Sequence, residues 1–458
     1  MASAAPSAAR RATLPRFSNA SWLVLLVCVL CAIGVVMVGS ASSVISISYY
    51  GSPWSIFFKE VMWVVLGLIV FATASIIDYH HWRRYASMFM MVSLILLVIV
   101  LVPGLGQSSY GASRWIGFGQ FGIQPSELMK LALALFGADL IAKRQEKGSS
   151  YRQIMGPLTI VAALAAALII AQPDLGTAMV LMVITLALLF AGGVPMRPVL
   201  KGLLAVTVLV TLAAVAMPYR RERLLSFINP GAKSTGSGYQ VVQSLIGFGS
   251  GHLLGLGLGN SREKWGLLPN AHTDFIFSVI GEELGLIGAV VVVIFFGLLA
   301  MKGFKAAEQA SDSFGSLLAV GLVAWIVTEA IINMGAAIDI LPVTGIPLPF
   351  ISFGGSSMLI SMAAAGMLVN IARQAKGASA VISLDAKRAE RAGKPSAKPA
   401  GAKKTRPAST KKRAGVADAR SRPRATTKSP TARRPASSPR GGRPAPTTGR
   451  RPSSSSAR

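Results

Sequence analysis

Residues 268–285 read LPNAHTDFIFSVIGEELG, where a polar loop runs into an apolar helix and ionisable groups continue along one side of it. Pro269 and Asn270 favour irregular backbone. Thr273 is the expected N-cap, which places Asp274 in the first turn beside the positive end of the helix dipole. Asp274, Ser278 and Glu282 follow an i, i+4, i+8 step, so they share one stripe running inward. Charged side chains in a spanning helix usually face a protein interior or a wet cavity and mark function. Taken by itself, the stretch is equally consistent with Asp274 acting only as a helix cap.

Working outward, apolar runs long enough to cross ~30 Å of hydrocarbon occur at 20–42, 60–77, 86–102, 127–142, 156–172, 177–194, 199–217, 275–300, 314–334 and 355–373. The expected fold is an all-α polytopic membrane protein of ten transmembrane helices. With the N-terminus inside, Arg10, Arg11, Arg16, Arg83, Arg84, Lys143, Arg144, Lys147, Arg152, Arg197, Lys201, Lys302 and Lys305 fall in short cytoplasmic segments, against only Lys59 and Arg114 in short outer loops. That bias follows the positive-inside rule and puts both termini in the cytoplasm.

The chain has 458 residues, is 52% hydrophobic and 14% charged, and still carries a net charge of +28. Residues 374–458 hold 23 Lys/Arg against 3 Asp/Glu, so +20 of the charge lies in the tail. The expected domains are a cytoplasmic segment 1–19, a membrane domain 20–375 and a tail 376–458. The tail is built from Ala, Pro, Ser, Thr, Lys and Arg and cannot form a core, so disorder is expected. KKTR (403–406) and KKR (411–413) suit an acidic cytoplasmic partner or anionic lipid; a solvated tether that helps fix topology is the plainer reading. Cys28 and Cys31 sit in an apolar run where a thiolate is poorly solvated, which argues against redox chemistry. No cluster has metal-ligand spacing.

In this topology every even-numbered helix starts at the outer face, and the unusual motifs fall at those starts. Gln124-Pro125-Ser126-Glu127 opens the fourth helix, with Pro125 suited to a first helical position. Asp174 in QPDLG (172–176) can cap the sixth. His272-Thr273-Asp274 opens the eighth, and Gly354-Gly355-Ser356-Ser357 the tenth. Four polar sites are therefore expected on one face. Glu127 and Lys130, at i, i+3, either neutralise each other or leave Lys130 for an anionic substrate. Asp139, Glu329 and Asn333 read as contacts between helices. The loop 218–273 is long enough to be functional, and its stretch 241–248 is apolar enough to pack on the membrane surface. GFGSGHLLGLGLG (247–259) follows no strand, so a dinucleotide site is disfavoured. Leu341–Ser357, with its prolines and glycines, must be irregular backbone buried in protein or lining a wet cavity. Its Gly354-Gly355 would let N–H groups approach a diphosphate.

GASRW (111–115), QPSELMK (124–130), QPDLG (172–176), GYQVVQS (238–244), LPNAHTDFIFSVIGEELG (268–285) and LPVTGIPLPFISFGGSS (341–357) occur in the order found in the SEDS family (shape, elongation, division and sporulation) of bacterial peptidoglycan glycosyltransferases, which the chain resembles over about residues 20–375. Segments 36–44 and 52–60 look most like the division member, with the elongation member the close competitor. The resemblance implies polymerisation of lipid II at the outer membrane face by inverting displacement, with Asp274 as general base or as the group that orients the acceptor hydroxyl. It implies Arg114, Lys130 and the Gly354–Ser357 helix start for the leaving diphosphate. Asp174, Gln240, Gln243, Ser244, His272 and Thr273 are placed around the same cavity, together with Glu127. It also implies a class B penicillin-binding protein and other division proteins as partners, at the septum of the cytoplasmic membrane. No cofactor is implied with certainty, and a divalent cation is left open. A lipid II flippase and a non-catalytic scaffold are the rival readings.

Overall fold

The computed structural model describes residues 18–104, 106–109, 112–118, 121–216, 227 and 236–392. Expectations placed on residues 1–17, on most of 217–235 and on the tail from 393 onward, KKTR and KKR included, lie outside the described residues.

Among the described residues, ten long helices follow the apolar runs: α1 (Asn19–Tyr50), α2 (Ser55–Ile76), α3 (Tyr79–Leu101), α4 (Pro125–Glu146), α5 (Tyr151–Ala171), α6 (Leu175–Ala191), α7 (Met196–Ala216), then after a short α8 (Ser237–Gly251) come α9 (Ile276–Glu308), α10 (Ser313–Ala337) and α11 (Gly355–Ala392). Their starts are set by local chemistry. Ser18, Asp78, Asp174 and Asp312 each accept a backbone N–H from the first turn of α1, α3, α6 and α10, satisfying donors that have no partner within the helix. Pro125 stands at the first position of α4.

Among the described residues, seven helices are long and apolar enough to cross a membrane: α1, α2, α3, α5, α9, α10 and the Gly355–Ala375 part of α11. α6 is equally apolar but shorter. In α10 and α11, 67% and 72% of the apolar stretch is buried, against 28% in α2 and α3. α10 and α11 therefore lie inside the bundle, as does α4, most of whose residues are buried, whereas α2 and α3 leave most of their surface uncovered. α2 packs on α11, α10 on α9, α4 and α6, and α1 on α9.

Three features add to or depart from the sequence reading. The connection between α3 and α4 folds into a small antiparallel sheet of β1 (Gln107–Ser109), β2 (Ala112–Phe118) and β3 (Phe121–Ile123), with β2 central. Its strands are too short and glycine-rich to show a clear two-residue period. The apolar stretch 241–248 leaves Leu245 and Ile246 exposed and turns its other apolar side chains inward. It lies in α8, where Val241 is buried and the Phe248 and Phe277 rings sit 5.3 Å apart, because Gly247 and Gly251 let α8 close on α9. Finally, α11 continues to Ala392 into the segment expected to be disordered; residues 378–392 are rich in Ala, Lys and Arg, which favour helix.

α9 is broken at Gly285 (φ 70°, ψ −172°). Only glycine adopts this conformation without strain. The segment His252–Gly257 fits the break: Leu286 N–H donates to the His252 carbonyl at 2.9 Å, and Leu256 and Gly257 donate to the carbonyls of Glu282 and Glu283, each at 3.0 Å. Gly255, Gly257 and Gly259 all have positive φ, so the glycine run 247–259 serves chain turns.

Candidate active site at four helix starts

α9 starts two residues later than its sequence suggests. Its N-cap is Phe275, not Thr273, and Asp274 lies in a tight turn ahead of the helix. Asn270, at φ 58°, offers its carbonyl to the N–H groups of Thr273, Asp274 and Phe275 at 3.1, 3.1 and 3.3 Å. That capture closes the chain before helical geometry begins, and it removes Asp274 from the Ser278–Glu282 stripe. Asp274 and Thr273 are half-buried.

This turn is strapped to the irregular segment before α11. Ser352 Oγ donates to the Thr273 carbonyl at 2.6 Å, and Phe353 N–H donates to the His272 carbonyl at 3.1 Å. Asn333 Nδ2, from α10, donates to the carbonyls of Asp274 and Ile346 at 2.9 and 2.8 Å. Val343, Ile346, Leu348, Phe350 and Ile351 are all buried, and the backbone at Phe350–Ile351 lies close against Gly34 of α1. The irregular segment is thus enclosed by protein, as its composition requires.

The other helix starts join the same network. Gln124 N–H donates to Ser356 Oγ at 3.3 Å, tying α4 to α11, and Gln124 Nε2 donates to Asp174 Oδ2 at 3.3 Å, tying α4 to α6. Asp174 also caps α6, accepting from the Thr177 amide and hydroxyl at 3.1 and 2.9 Å. Arg114, on β2, donates to the carbonyls of Gln172, at 3.1 Å, and Pro173. The small sheet therefore carries a guanidinium to the start of α6. Ser357 Oγ donates to the Gly354 carbonyl at 2.9 Å, and Gly355 packs against the Trp63 indole. Burial pushes the His272 pKa down to about 4, so its imidazole is neutral at physiological pH.

Most of the other residues singled out by sequence are paired within the protein. Lys130 is fully buried between Glu127, at 2.8 Å, and Glu329 of α10, with its ammonium 5.1 Å from the Trp325 ring centroid. Its charge is met by two carboxylates. Ser244 Oγ donates to the Ala337 carbonyl at 2.6 Å, and Ser278 Oγ to the Ser244 carbonyl at 2.9 Å, which locks α8 onto α9 and α10. Gln240 and Gln243 are half-buried on α8. Glu282 accepts from Arg262 N–H at 2.8 Å and from Ser261 Oγ; Glu283 accepts from Ser40 Oγ at 2.6 Å. Asn270, Asn333 and Ser352 are the site-building residues that sequence reasoning left out or read as mere contacts. Their donors and acceptors reach across elements, a relationship no local spacing carries. Among the described residues, no group of three or more His, Cys, Asp or Glu is placed to hold a metal ion.

These features define a polytopic helical membrane protein with a carboxylate, amides, hydroxyls and a guanidinium gathered where four helices begin. The chain belongs to the SEDS family: the profile of the cell cycle protein family of FtsW, RodA and SpoVE matches residues 21–377. It is 39% identical to the probable peptidoglycan glycosyltransferase FtsW of Geobacter metallireducens over 78% of this chain and 95% of that one. To the probable FtsW of Mycobacterium tuberculosis it is 40% identical over 79% of this chain and 69% of that one. Stage V sporulation protein E of Bacillus subtilis is 38% identical, over 77% and 97%. Among solved structures, it is similar to a chain of a peptidoglycan synthase complex (TM-score 0.63, 30% identity, 77% of this chain and 97% of that one) and to the rod shape determining protein RodA of Thermus thermophilus (TM-score 0.56, 27% identity, 77% and 95%).

Proposed function

We propose that the protein is a peptidoglycan glycosyltransferase of the division type, polymerising lipid II at the outer face of a bacterial cytoplasmic membrane during septal wall synthesis. In this reading α4, α6 and α7 cross the membrane along with the seven apolar helices, giving ten spans, and both termini are cytoplasmic. The observation that carries the reading is the strapping of the Asp274 turn to the starts of α4, α6 and α11, which gathers a carboxylate and anion-binding groups at one end of the bundle.

The reaction is a single inverting displacement. The 4-hydroxyl of one lipid-linked disaccharide attacks the anomeric carbon of another while the bond to the diphosphate oxygen breaks, and undecaprenyl diphosphate leaves. Asp274 takes the proton of the attacking hydroxyl, a role that contributes about 10²- to 10⁴-fold. The turn at Asn270 and the Asn333 amide hold it in place. Arg114 and the N–H groups at Gly354–Ser357 stand on the side where diphosphate charge grows, as electrostatic stabilisation requires. The carbonyls that occupy Arg114 are weaker partners than a diphosphate. His272, Thr273, Asp174, Gln240 and Gln243 shape the cavity, while Lys130, Glu127 and Ser244 hold its walls. A class B penicillin-binding protein is the proposed partner that crosslinks the product.

A flippase needs polar groups on a path through both membrane halves. The deeper carboxylates here are tied into structure, Glu329 by Lys130 and Glu282 and Glu283 by the 250–262 segment. The two readings separate on purified lipid II. Loss of polymerisation in Asp274→Ala, with a tail truncation still active, supports the enzyme; polymerisation by both variants would refute it.

A further inference from the structure

Two contacts between α1 and α9 measure depth in the membrane. At one end Asn19 Nδ2 donates to the Lys302 carbonyl at 3.0 Å, and the Lys302 ammonium sits 5.2 Å from the Trp22 ring centroid. A Trp–Lys pair of this kind belongs at a membrane–water interface. Counting 1.5 Å per residue, Ser40 stands about 31 Å along α1 from Asn19, and Leu286, where α9 resumes after its break, about 24 Å from Lys302. Ser40 is hydrogen bonded to Glu283, three residues before Leu286, so the two counts are consistent, and the α1 count matches the ~30 Å of a hydrocarbon core. The Ser40–Glu283 contact therefore marks the opposite boundary.

Just inside that boundary, Ala32, Ile33, Val36 and Met37 of α1 form an apolar groove of about 290 Å³ with Leu258 and Leu284. The α1 positions lie about 20–27 Å from the Asn19 level, within the hydrocarbon. Leu258 belongs to the α8–α9 connection, so this connection reaches acyl-chain depth. Its backbone is equipped for a medium without water, because the N–H groups of Leu256 and Gly257 and the carbonyl of His252 are paired with the broken α9. Its side chains point outward: Leu253 is 63% exposed, Leu254 80% and Trp265 70%, with Arg262 exposed beside them.

We propose that the connection His252–Leu267 is seated in the lipid leaflet. Leu253, Leu254 and Leu258 enter the acyl chains, one phospholipid acyl chain occupies the groove against α1, and Trp265 and Arg262 rest at the headgroups. Continuity with the lipid-facing side of α1 identifies the occupant, since a groove floored by the middle of a spanning helix opens onto acyl chains. The seat itself does not rest on the function proposed above.

The test uses the full-length wild-type chain in liposomes of phosphatidylglycerol carrying a diazirine in the acyl chain. After irradiation, mass spectrometry is expected to find adducts on residues 253–258 as on Val36, and none on residues 268–275. Adducts confined to the long helices would overturn the proposal. A second readout places a nitroxide at Leu254→Cys in a Cys28→Ser background, Cys31 being buried. Oxygen is expected to relax the label more strongly than a water-soluble nickel complex, as for a label at Val36→Cys. A water-like ratio would overturn the seat. So would one that becomes protected only when a penicillin-binding protein is added, which would assign the surface to a protein partner. Neither readout involves catalysis, so failure here is distinguishable from failure of the enzymatic reading.

Discussion

The side-chain amide of Asn333 bridges two carbonyls from different parts of the chain, donating to Asp274 at 2.9 Å and to Ile346 at 2.8 Å. One amide near the C-terminal end of α10 thus holds the Asp274 turn against the segment that leads into α11. Asn333 is 2% exposed, so its amide is spent on protein acceptors.

Asn333→Ala is expected to strand both acceptors, at about 1–3 kcal/mol each, and to release the carboxylate from its position. Polymerisation of lipid II should fall at least about tenfold, which corresponds to 1.4 kcal/mol, together with a lower Tm in detergent. Wild-type activity in a folded Asn333→Ala protein would show that the strap does not position Asp274.

Lys130 makes a second prediction, opposite in kind. Removing it by Lys130→Ala leaves Glu127 and Glu329 buried without a cation, a change that destabilises by about 3–5 kcal/mol. Thermal unfolding should show the loss directly, and Glu329→Gln, which keeps a polar partner, should be milder. An unchanged Tm with weakened substrate binding would instead return Lys130 to the substrate site.

Gly285 can be tested through its backbone. A methyl group there meets the backbone of Leu253 and Gly255, and φ 70° disfavours any side chain. Gly285→Ala should unseat the 252–257 segment, seen as new protease cleavage between His252 and Leu267 at a temperature where the wild type resists. Resistance equal to wild type would mean that the break does not hold the segment.

The pH response of stability is predicted from two groups outside the spanning helices. Burial, with the nearby Glu282 carboxylate, pushes Glu263 up to about 7. The native state then binds more protons than the unfolded one between pH 4.5 and 7, and Glu263 makes stability fall as pH rises through that window. His272, pushed down to about 4 by burial, does the reverse between pH 4 and 6.5, where the unfolded chain binds more protons and stability rises with pH. The two slopes oppose each other in the wild type. Glu263→Gln should unmask the His272 slope, giving a Tm that rises from pH 4.5 to 6.5; a flat profile would contradict the assignment.

Much of this architecture was legible in the chain. The long apolar runs give the helices their order, and Pro125 and Asp174 mark the starts of α4 and α6 because helix caps are local chemistry. The gathering of four starts followed from counting helices. The details of the site did not, because they depend on contacts between elements. Thr273 reads as a cap until the Asn270 carbonyl takes its N–H. Glu282 reads as part of an inward stripe until the break at Gly285 brings Ser261 and Arg262 to it. Lys130 reads equally as partner or ligand until α10 supplies Glu329.

The central claim is tested most directly by polymerisation of purified lipid II with the full-length protein and its cognate class B penicillin-binding protein, comparing wild type with Asp274→Asn. Loss of glycan strands by about 10²-fold or more, with Tm unchanged, is the predicted result. Strands made at the wild-type rate by a folded Asp274→Asn protein would contradict the account.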